Sequence, residues 1–497
     1  MGLFKREKEN YITLKNGRKV TDIHFCTPNT FRKKAKEYGF ISDKHNILLS
    51  KNVKISAEND NLKINNYRNI AIIGSCGYDR KYNERFKYVE ENILVGEGNY
   101  VITFDGIEVS DGIYQKVKDN VSLKEKGYRL ALFDPLVDTG LKYNPLLYAS
   151  HSDEETVGYL CDEILNREGN EKLNPLVFNR KYDLFYAVMN YVVYWSENKT
   201  FKEVYKIFTD EEYRKSIFGE IFNEDEWEKR KRLIPIKWYF VSLERINEME
   251  NYTVDDCIKE ICEALEPFLI DKINGEDELN LNDLNEGKLM LFIKNSAYCI
   301  SREPQIISQI INMLMYQIAY IIQKYRRCYY ENERLNELPF IKIIINKFDS
   351  ITLPAYFYDS LQYFPGYAVS VSIIASTIDG IEKQSGEWYY TLMKSMYTYI
   401  FLHTTDDRTL QWESWTLGTR ILRERRSYRY HAGISKCWTP PEVPLLTKEV
   451  LSKLDIDNCL IFFSGSYYGG IGIYKSHIET IIEDKSLVTD TDVYKIV

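Results

Sequence analysis

The residues with the clearest potential for chemistry are Gly74-Ser75-Cys76-Gly77-Tyr78-Asp79-Arg80-Lys81. They directly follow the apolar run Asn69-Ile70-Ala71-Ile72-Ile73, which predicts a buried strand. Nucleotide-binding folds place a phosphate-binding loop, G-x-x-x-x-G-K-[ST], between such a strand and a helix. In a working loop a glycine lies beside the phosphates, the lysine contacts the β/γ oxygens and the hydroxyl binds magnesium. The segment therefore has the position of a phosphate-binding loop.

The residue types do not suit that chemistry. Gly74 and Gly77 remain, but Asp79 replaces the glycine beside the phosphates and brings a carboxylate toward an anion. Arg80 keeps the positive charge of the lysine with a wider, planar head, and Lys81 replaces the hydroxyl and cannot bind a metal. The loop is therefore predicted to be degenerate, and an ordinary strand–turn–helix connection is the alternative.

Composition indicates a globular protein with more than one domain. The 497 residues are too many for one hydrophobic core, and 44% hydrophobic with 28% charged residues argues against disorder. The 65 Lys and Arg residues against 73 Asp and Glu residues give a formal net charge of −8. The whole chain therefore does not attract nucleic acid, and any DNA contact has to be local.

Two local basic runs are present. The first is Lys229-Arg230-Lys231-Arg232. The second, the better candidate for a DNA or partner patch, contains five arginines interleaved with tyrosines: Arg420, Arg423, Arg425, Arg426 and Arg429. A solvated surface is the alternative for both runs.

The remaining sequence signals indicate a cytoplasmic protein without a metal site. Nine cysteines show no C-x-x-C spacing, which favours reduced thiols and no metal ligand set. The first residues lack the apolar core of a signal peptide. The uncharged stretch Gln305 to Gln323 is long, but polar residues recur at helical spacing within it, so we expect a buried helix and no integral membrane segment.

The pattern of elements predicts a sheet that is interrupted by helices. Residues 1–68 form a lead-in, and residues 69–150 alternate strand and helix signals, as expected for the first part of a mostly parallel α/β domain. Residues 151–270 have helical periodicity and predict an inserted all-helical domain. Strand signals return in residues 271–497, the second part of the α/β domain, which ends with a C-terminal strand.

Over roughly residues 40 to 475 the chain resembles the type IV coupling proteins, the TraG/TraD-type ATPases that feed DNA into conjugative secretion channels. The segments that carry the resemblance keep the family's order. They are Gly127 to Phe133 followed by Lys142-Tyr143-Asn144-Pro145-Leu146, Asn198 to Val204, Leu338-Pro339 with Pro354, and Pro444 to Val450 followed by Asp457 to Gly465. The resemblance implies a RecA-like P-loop NTPase fold that an all-helical domain splits.

The resemblance also implies that catalysis is lost. The family's second motif ends a strand with D-E-F, where the aspartate holds magnesium and the glutamate polarises water. This chain has Asn346-Lys347-Phe348 there, and Asp349 is one residue past the position and expected on another face. The sensing glutamine falls near Ser376, and the D-P-K-G-E-L element matches best at Glu108.

These departures predict a pseudo-ATPase of a conjugative, type IV secretion or mobile-element system that acts through protein contacts. No cofactor is expected. Arg80, Lys81 and Lys347 either bind an anion, fill the vacated pocket or form ion pairs with Asp79 and Asp349. The alternative is an active, DNA-stimulated motor that uses ATP and Mg²⁺, with Arg80 or Lys81 on the phosphates and Asp349 on the metal. A peripheral position at a membrane secretion complex, the oligomeric state and an unrelated role for the fold stay open.

Overall fold

The computed structural model describes most of the chain from residue 68 onward. The described residues are 11–13, 19–21, 46–50, 53–56, 68–74, 88–89, 92–94, 98–104, 109–135, 140–149, 154–165, 174–219, 227–294, 304–421, 442–454, 458–464 and 473–477.

Nine of the described strands form one large sheet with the order β15-β14-β11-β5-β10-β9-β6-β8-β7. The described strands are β1 (Tyr11–Thr13), β2 (Lys19–Thr21), β3 (Asn46–Ser50), β4 (Val53–Ser56), β5 (Ile70–Ile73), β6 (Asn99–Phe104), β7 (Arg129–Phe133), β8 (Leu289–Lys294), β9 (Ile341–Asn346), β10 (Val369–Ala375), β11 (Thr398–Phe401), β12 (Thr419–Ile421), β13 (Glu442–Pro444), β14 (Asn458–Phe463) and β15 (Ile473–His477). Strands β5 to β11 pair in parallel, and β14 and β15 add antiparallel strands at one edge. The predicted mostly parallel sheet is confirmed.

The central strands of this sheet are mostly apolar because both of its faces are buried. Every residue of β5, β9 and β10 is buried, which is the requirement of a parallel sheet between two helical layers. Alternate side chains enter different cores, so Ile343 and Ile345 belong to one core and Ile344 belongs to the other. We name these the Ile345 face and the Ile344 face.

Helices cover the sheet and form the segment between β7 and β8. The described α-helices are α1 (Val109–Asp119), α2 (Val121–Glu125), α3 (Glu154–Ile164), α4 (Pro175–Trp195), α5 (Phe201–Thr209), α6 (Glu211–Gly219), α7 (Trp227–Asn247), α8 (Val254–Leu265), α9 (Asp283–Glu286), α10 (Pro304–Glu331), α11 (Ala355–Ser360), α12 (Ile378–Ser385), α13 (Tyr389–Ser395), α14 (Asp407–Thr416) and α15 (Lys448–Leu451). Helices α3 to α8 follow one another without a described strand, so the helical insertion that splits the sheet is confirmed.

Local sequence signals fix where the inserted helices begin. Asn174 caps α4 by accepting a hydrogen bond from the N–H of Val177, and Thr200 caps α5 in the same way. Thr253 and Asp256 form a reciprocal capping box at the start of α8. The two 21-residue helices α4 and α7 then pack along each other and form the main contact within the insertion.

The long helix α10, which contains the uncharged stretch Gln305 to Gln323, packs in the protein core along that stretch. By length and composition the stretch Gln305–Glu331 could cross a membrane, but 72% of its most apolar window is buried among the described residues. Its polar stripe has partners: the Gln309 side chain donates to the carbonyl of Glu163 at 2.5 Å, and Asn312 donates to the Glu163 carboxylate at 3.1 Å. The predicted buried helix is therefore what the structure contains.

Candidate functional site

Three of the predicted site segments end side by side at the carboxyl edge of the large sheet. The N–H of Gly74, which follows β5, donates to the carbonyl of Ala375 at the end of β10 at 3.1 Å. On the other side of β10, Ile374 is in register with Asn346, the last residue of β9. The loop position and the second-motif position are therefore one strand apart, at the edge where open α/β sheets bind ligands.

The backbone conformation and surroundings of Gly74 require a glycine. Its φ is +135°, and a Cβ atom there would lie 2.8 Å from both the Cβ and the carbonyl oxygen of Leu402. Leu402 approaches this closely because its N–H donates to the carbonyl of Ile73 at 2.8 Å. Only glycine fits this conformation and space, so this residue is needed for strand packing whether or not a phosphate binds.

The other loop positions and most of the basic run lie outside the described residues. They are Gly77, Asp79, Arg80, Lys81, Arg423, Arg425, Arg426 and Arg429, and Glu108 of the D-P-K-G-E-L element also lies outside the described residues. Arg420 lies in β12, where its backbone pairs with Val443 of β13 in a separate two-stranded sheet.

Asn346 presents a buried hydrogen-bond donor at the end of β9. Its side chain is 2% exposed, and its Nδ2 has no acceptor among the described residues. Strand alternation places it on the Ile344 face. An unsatisfied buried amide costs about 1–3 kcal/mol, so this atom is suited to an acceptor that is not among the described residues.

Lys347 begins a turn immediately after β9. Its backbone is left-handed, with φ 58° and ψ 53°, which costs a residue with a side chain about 1–2 kcal/mol. The carbonyl of Lys347 accepts from the N–H and the hydroxyl of Ser350 at 3.0 and 2.9 Å, which closes a short 3₁₀ turn over Phe348–Ser350. This turn directs Asp349 away from the strand.

Asp349 is engaged at the first turn of α12. Its Oδ2 accepts a hydrogen bond from the N–H of Ser376 at 2.8 Å, and its backbone carbonyl accepts from the side chain of Gln384 at 2.8 Å. Gly380 leaves room for the carboxylate, since a Cβ there would lie 2.9 Å from Asp349 Cγ. A carboxylate at a helix N-terminus is stabilised by the helix dipole.

Asp349 and Asn346 therefore lie on different faces of the sheet. Helix α12 contributes Ile378 and Ile381 to the core on the Ile345 face, whereas Asn346 has the alternation of the Ile344 face. The sequence-predicted residues Asp349 and Ser376 are brought into contact, and Asn346 is not part of that contact.

The Ile344 face carries a buried polar network behind the carboxyl edge. The hydroxyl groups of Tyr88 and Ser372 lie 3.0 Å apart, and burial raises the pKa of the Tyr88 phenol above its ordinary range. Lys342 Nζ donates to the Tyr100 hydroxyl at 3.2 Å, and that hydroxyl donates to the carbonyl of Asn92 at 2.6 Å. Polar side chains are thus built into this face of the sheet.

Sequence reasoning missed three further polar residues at the same edge. Thr103, near the end of β6, is fully buried and its hydroxyl has no partner among the described residues. Lys294 at the end of β8 lies 3.9 Å from Asp134, which follows β7 and is 4% exposed. The available signal was a polar residue at or just after the end of an apolar strand.

The segments that carried the family resemblance meet at the junction with the helical insertion. The side chain of Asn144 donates to the carbonyls of Lys199 and Gly275 at 2.9 and 3.0 Å, which ties the entry of the insertion to α5 and to its exit. The Tyr143 hydroxyl donates to Gln317 of α10 at 2.5 Å. These residues hold the two parts of the structure together.

Comparisons with known proteins agree with this architecture. Neither a protein-family model nor a curated protein sequence matches the chain. Among solved structures, the plasmid coupling protein TrwB in complex with ADP and Mg²⁺ matches with a TM-score of 0.56 and 12% identity, covering 96% of this chain and 95% of that chain. The complex of TrwB with the GTP analogue GDPNP also gives 0.56 and 12%, covering 96% and 97%. The unbound monoclinic form of the bacterial conjugative coupling protein TrwBdeltaN70 gives 0.54 and 10%, covering 95% and 94%.

At sequence identities of 10–12%, the similarity to these structures establishes the fold alone. The chain has a RecA-like P-loop NTPase fold that matches the fold of TrwB. The resemblance found in the sequence is thereby confirmed for the fold across nearly the whole chain.

Proposed function

We propose that this protein is a pseudo-ATPase of a conjugative transfer, type IV secretion or mobile-element system. It keeps the coupling-protein scaffold and acts through contacts with other proteins of that machinery. Its place is the cytoplasm, at the periphery of a membrane secretion complex. ATP hydrolysis has no part in this role.

The observation that carries the proposal is the chemistry at the end of β9. Asn346 offers an amide donor on the Ile344 face, and Asp349, three residues later, accepts from the backbone of Ser376 on the other side. A magnesium–nucleotide complex needs a carboxylate to hold the metal and a second to polarise water. Asn346 and Lys347 supply neither, so the residues at this position do not fit magnesium.

The ligands held by TrwB sharpen the comparison. That protein is in complex with ADP and Mg²⁺. A P-loop site holds the metal through a loop hydroxyl and a carboxylate, and Lys81 and Asn346 stand at those two positions here. A single charge contact to the transition state is worth roughly 10³ to 10⁵ in rate. Loss of the carboxylates together with the loop lysine is therefore expected to remove several kcal/mol of transition-state stabilisation.

Calorimetric titration of ATP into the purified protein, with and without Mg²⁺, tests the proposal. We expect either no binding or weak binding that is independent of the metal. Phosphate release from the same sample, with single-stranded DNA added, is expected to stay at the buffer rate. Metal-dependent ATP binding with turnover would refute the pseudo-ATPase proposal and show that the protein is an active motor.

A divergent active motor is the second candidate, and one observation favours it. Asp349 Oδ1 has no hydrogen-bond partner among the described residues, so one carboxylate oxygen is available at this edge of the sheet. This candidate requires DNA-stimulated ATP turnover that both Lys81→Ala and Asp349→Asn abolish. Turnover that survives both substitutions would refute this assignment of Lys81 and Asp349.

The protein-contact role has a test that does not involve nucleotide. Affinity capture of the full chain from a host that carries the mobile element should recover components of its transfer machinery. Capture of none of them, under conditions in which those components are expressed, would refute the proposed function.

A further inference from the structure

One edge of the large sheet ends in a strand with an open outer side. β7 is the last strand in the sheet order, and β8 is its only paired strand among the described residues. The N–H of Arg129 donates to the carbonyl of Lys288 at 2.8 Å, so the main-chain groups of Arg129 face β8. Successive residues of a strand face opposite ways, so the amide and carbonyl groups of Leu130 and Leu132 face outward.

Three of these four outward groups are open. The carbonyl of Leu132 accepts from the N–H of Leu141 at 2.9 Å. The N–H and carbonyl of Leu130 and the N–H of Leu132 have no partner among the described residues. Both leucines are half-buried on the Ile344 face, together with Tyr128. A row of unpaired main-chain groups at a sheet edge is a template for pairing with another chain.

The features that usually protect a strand edge are lacking at the centre of β7. Natural edges carry charged side chains, prolines or bulges that prevent pairing. Leu130-Ala131-Leu132 contains no charge and no proline, and its register with β8 is continuous. Arg129 lies on the opposite face from Leu130, and its guanidinium pairs with Asp283 at 2.8 Å. The edge is therefore open to a further strand.

The three open groups match a short parallel strand. In a parallel pair, a residue in register with Leu130 turns its own main-chain groups away from β7, and the residues before and after it bond to β7. The residue before accepts from the N–H of Leu130. The residue after donates to the carbonyl of Leu130 and accepts from the N–H of Leu132. An antiparallel strand would instead direct an amide at the Leu132 carbonyl, which Leu141 already occupies.

The side chains at this edge indicate what the added strand carries. A residue in register with Leu130 lies on the Ile344 face, beside the half-buried side chains of Leu130 and Leu132. An apolar side chain at that position covers them. A second copy of this chain does not fit in a symmetric β7 pair, because its own Leu141 lies on the outer side of Leu132, where the neighbouring strand would run.

We propose that the outer edge of β7 binds an extended segment of a partner protein as a short parallel strand with apolar side chains at alternate positions. Main-chain hydrogen bonds to Leu130 and Leu132 supply the affinity, and the apolar side chain beside Leu130 supplies selectivity. This inference rests on the proposed protein-contact function and names the kind of segment that the partner presents.

A pair of N-methylated peptides tests the pairing directly. Each is a labelled peptide of about nine residues with valine at alternate positions and threonine or lysine between them. One carries N-methyl groups on the valine amides, which point away from β7 in the proposed strand. Its twin carries them on the threonine and lysine amides, which point toward β7. Fluorescence anisotropy with the full chain should show at least about tenfold tighter binding of the valine-methylated peptide.

The other results of this comparison contradict the proposal. Equal binding of the twins would show apolar adsorption without strand pairing. Binding of neither would show that the edge takes no strand. Tighter binding of the peptide methylated on threonine and lysine would assign an antiparallel strand.

Substitutions then locate the site. Leu130→Pro removes an outward N–H and leaves the bonds to β8 in place, so we expect a folded protein that binds the peptide at least about tenfold more weakly. Leu130→Lys keeps the main chain and places a charge at the edge, with the same expected loss. Ile234→Lys, at a 57% exposed position of α7, is the matched control and should leave binding unchanged. Thermal unfolding shows whether each variant is folded. Binding that both Leu130 variants retain would refute the assignment.

Affinity capture from a host that carries the mobile element separates this inference from the proposed function. Recovery of transfer components by the parent chain but not by the Leu130→Pro variant supports both. Recovery by both chains would keep the proposed function and refute the edge of β7 as the site. Peptide binding at the edge, with no transfer component recovered by either chain, would keep the strand-binding site and reject the proposed function.

Discussion

The carboxylate of Asp349 accepts a 2.8 Å hydrogen bond from the backbone N–H of Ser376, and this contact joins the ends of β9 and β10. Both residues occupy positions where the coupling-protein pattern predicts catalytic or sensing groups. In this chain they bond to each other at the start of α12. The contact gives Asp349 a structural role that can be separated from nucleotide chemistry.

Asp349→Ala should destabilise the protein by about 1–2 kcal/mol, because α12 loses a carboxylate at its first turn. Urea unfolding measures the change. Asp359→Asn, at an exposed position on α11, is the matched control and should stay within about 0.5 kcal/mol of the parent. Unchanged stability of the Asp349→Ala variant would show that the hydrogen bond contributes nothing.

Gly380→Ala should destabilise the protein by about 1–3 kcal/mol, because the new methyl group would collide with the Asp349 carboxylate. The cost should fall when Asp349→Ala is combined with it, since the pair is in contact. Gly366→Ala is the control: the nearest atom to its added Cβ is 3.8 Å away, an ordinary contact. Additive effects in the double variant would argue against the packing seen here.

Asn346→Leu should leave stability unchanged or raise it by about 1–2 kcal/mol, because it removes a buried donor that has no acceptor. Asn99→Leu is the contrasting variant on the neighbouring strand. The Asn99 side chain donates to the carbonyls of Leu284 and Gly287 at 2.8 and 3.0 Å and accepts from Leu289 at 2.8 Å. Asn99→Leu should lower the free energy of unfolding by several kcal/mol, because each buried backbone group that loses its hydrogen bond costs about 1–3 kcal/mol. Destabilisation of similar size in both variants would indicate that Asn346 has a partner in solution.

Stability should fall as the pH rises above about 5, because of Glu413. This residue of α14 is 1% exposed, its Oε1 has no partner among the described residues, and burial raises its pKa well above the ordinary 4.5. Between the unfolded and the folded pKa, the folded state holds a proton that the unfolded state releases, so the unfolding free energy falls by at most about 1.4 kcal/mol per pH unit.

Urea unfolding between about pH 5 and 8 measures this slope. Glu413→Gln should flatten it, since the amide cannot ionise. Glu387→Gln, at an exposed position, should leave the slope unchanged. A slope that survives Glu413→Gln would assign the pH dependence to another group.

Much of the fold could be predicted from the chain because the relevant signals are local. The apolar runs of β5, β9 and β10 are continuous since both faces of each strand are buried. The polar positions of α10 recur at helical spacing because they face Glu163 and other partners on one side of the helix. The Lys347 turn and its effect on Asp349 carry no comparable signal.

The sequence by itself determined the strand runs, the helical insertion and the absence of the D-E-F carboxylates at Asn346-Lys347-Phe348. Each of these is a property of neighbouring residues. Only the tertiary structure decided that Asp349 accepts a hydrogen bond from Ser376 and that Asn346 lies on the other face of the sheet. Those relationships depend on which strands and helices become neighbours, and pairing between distant segments is set by the packing of the whole core.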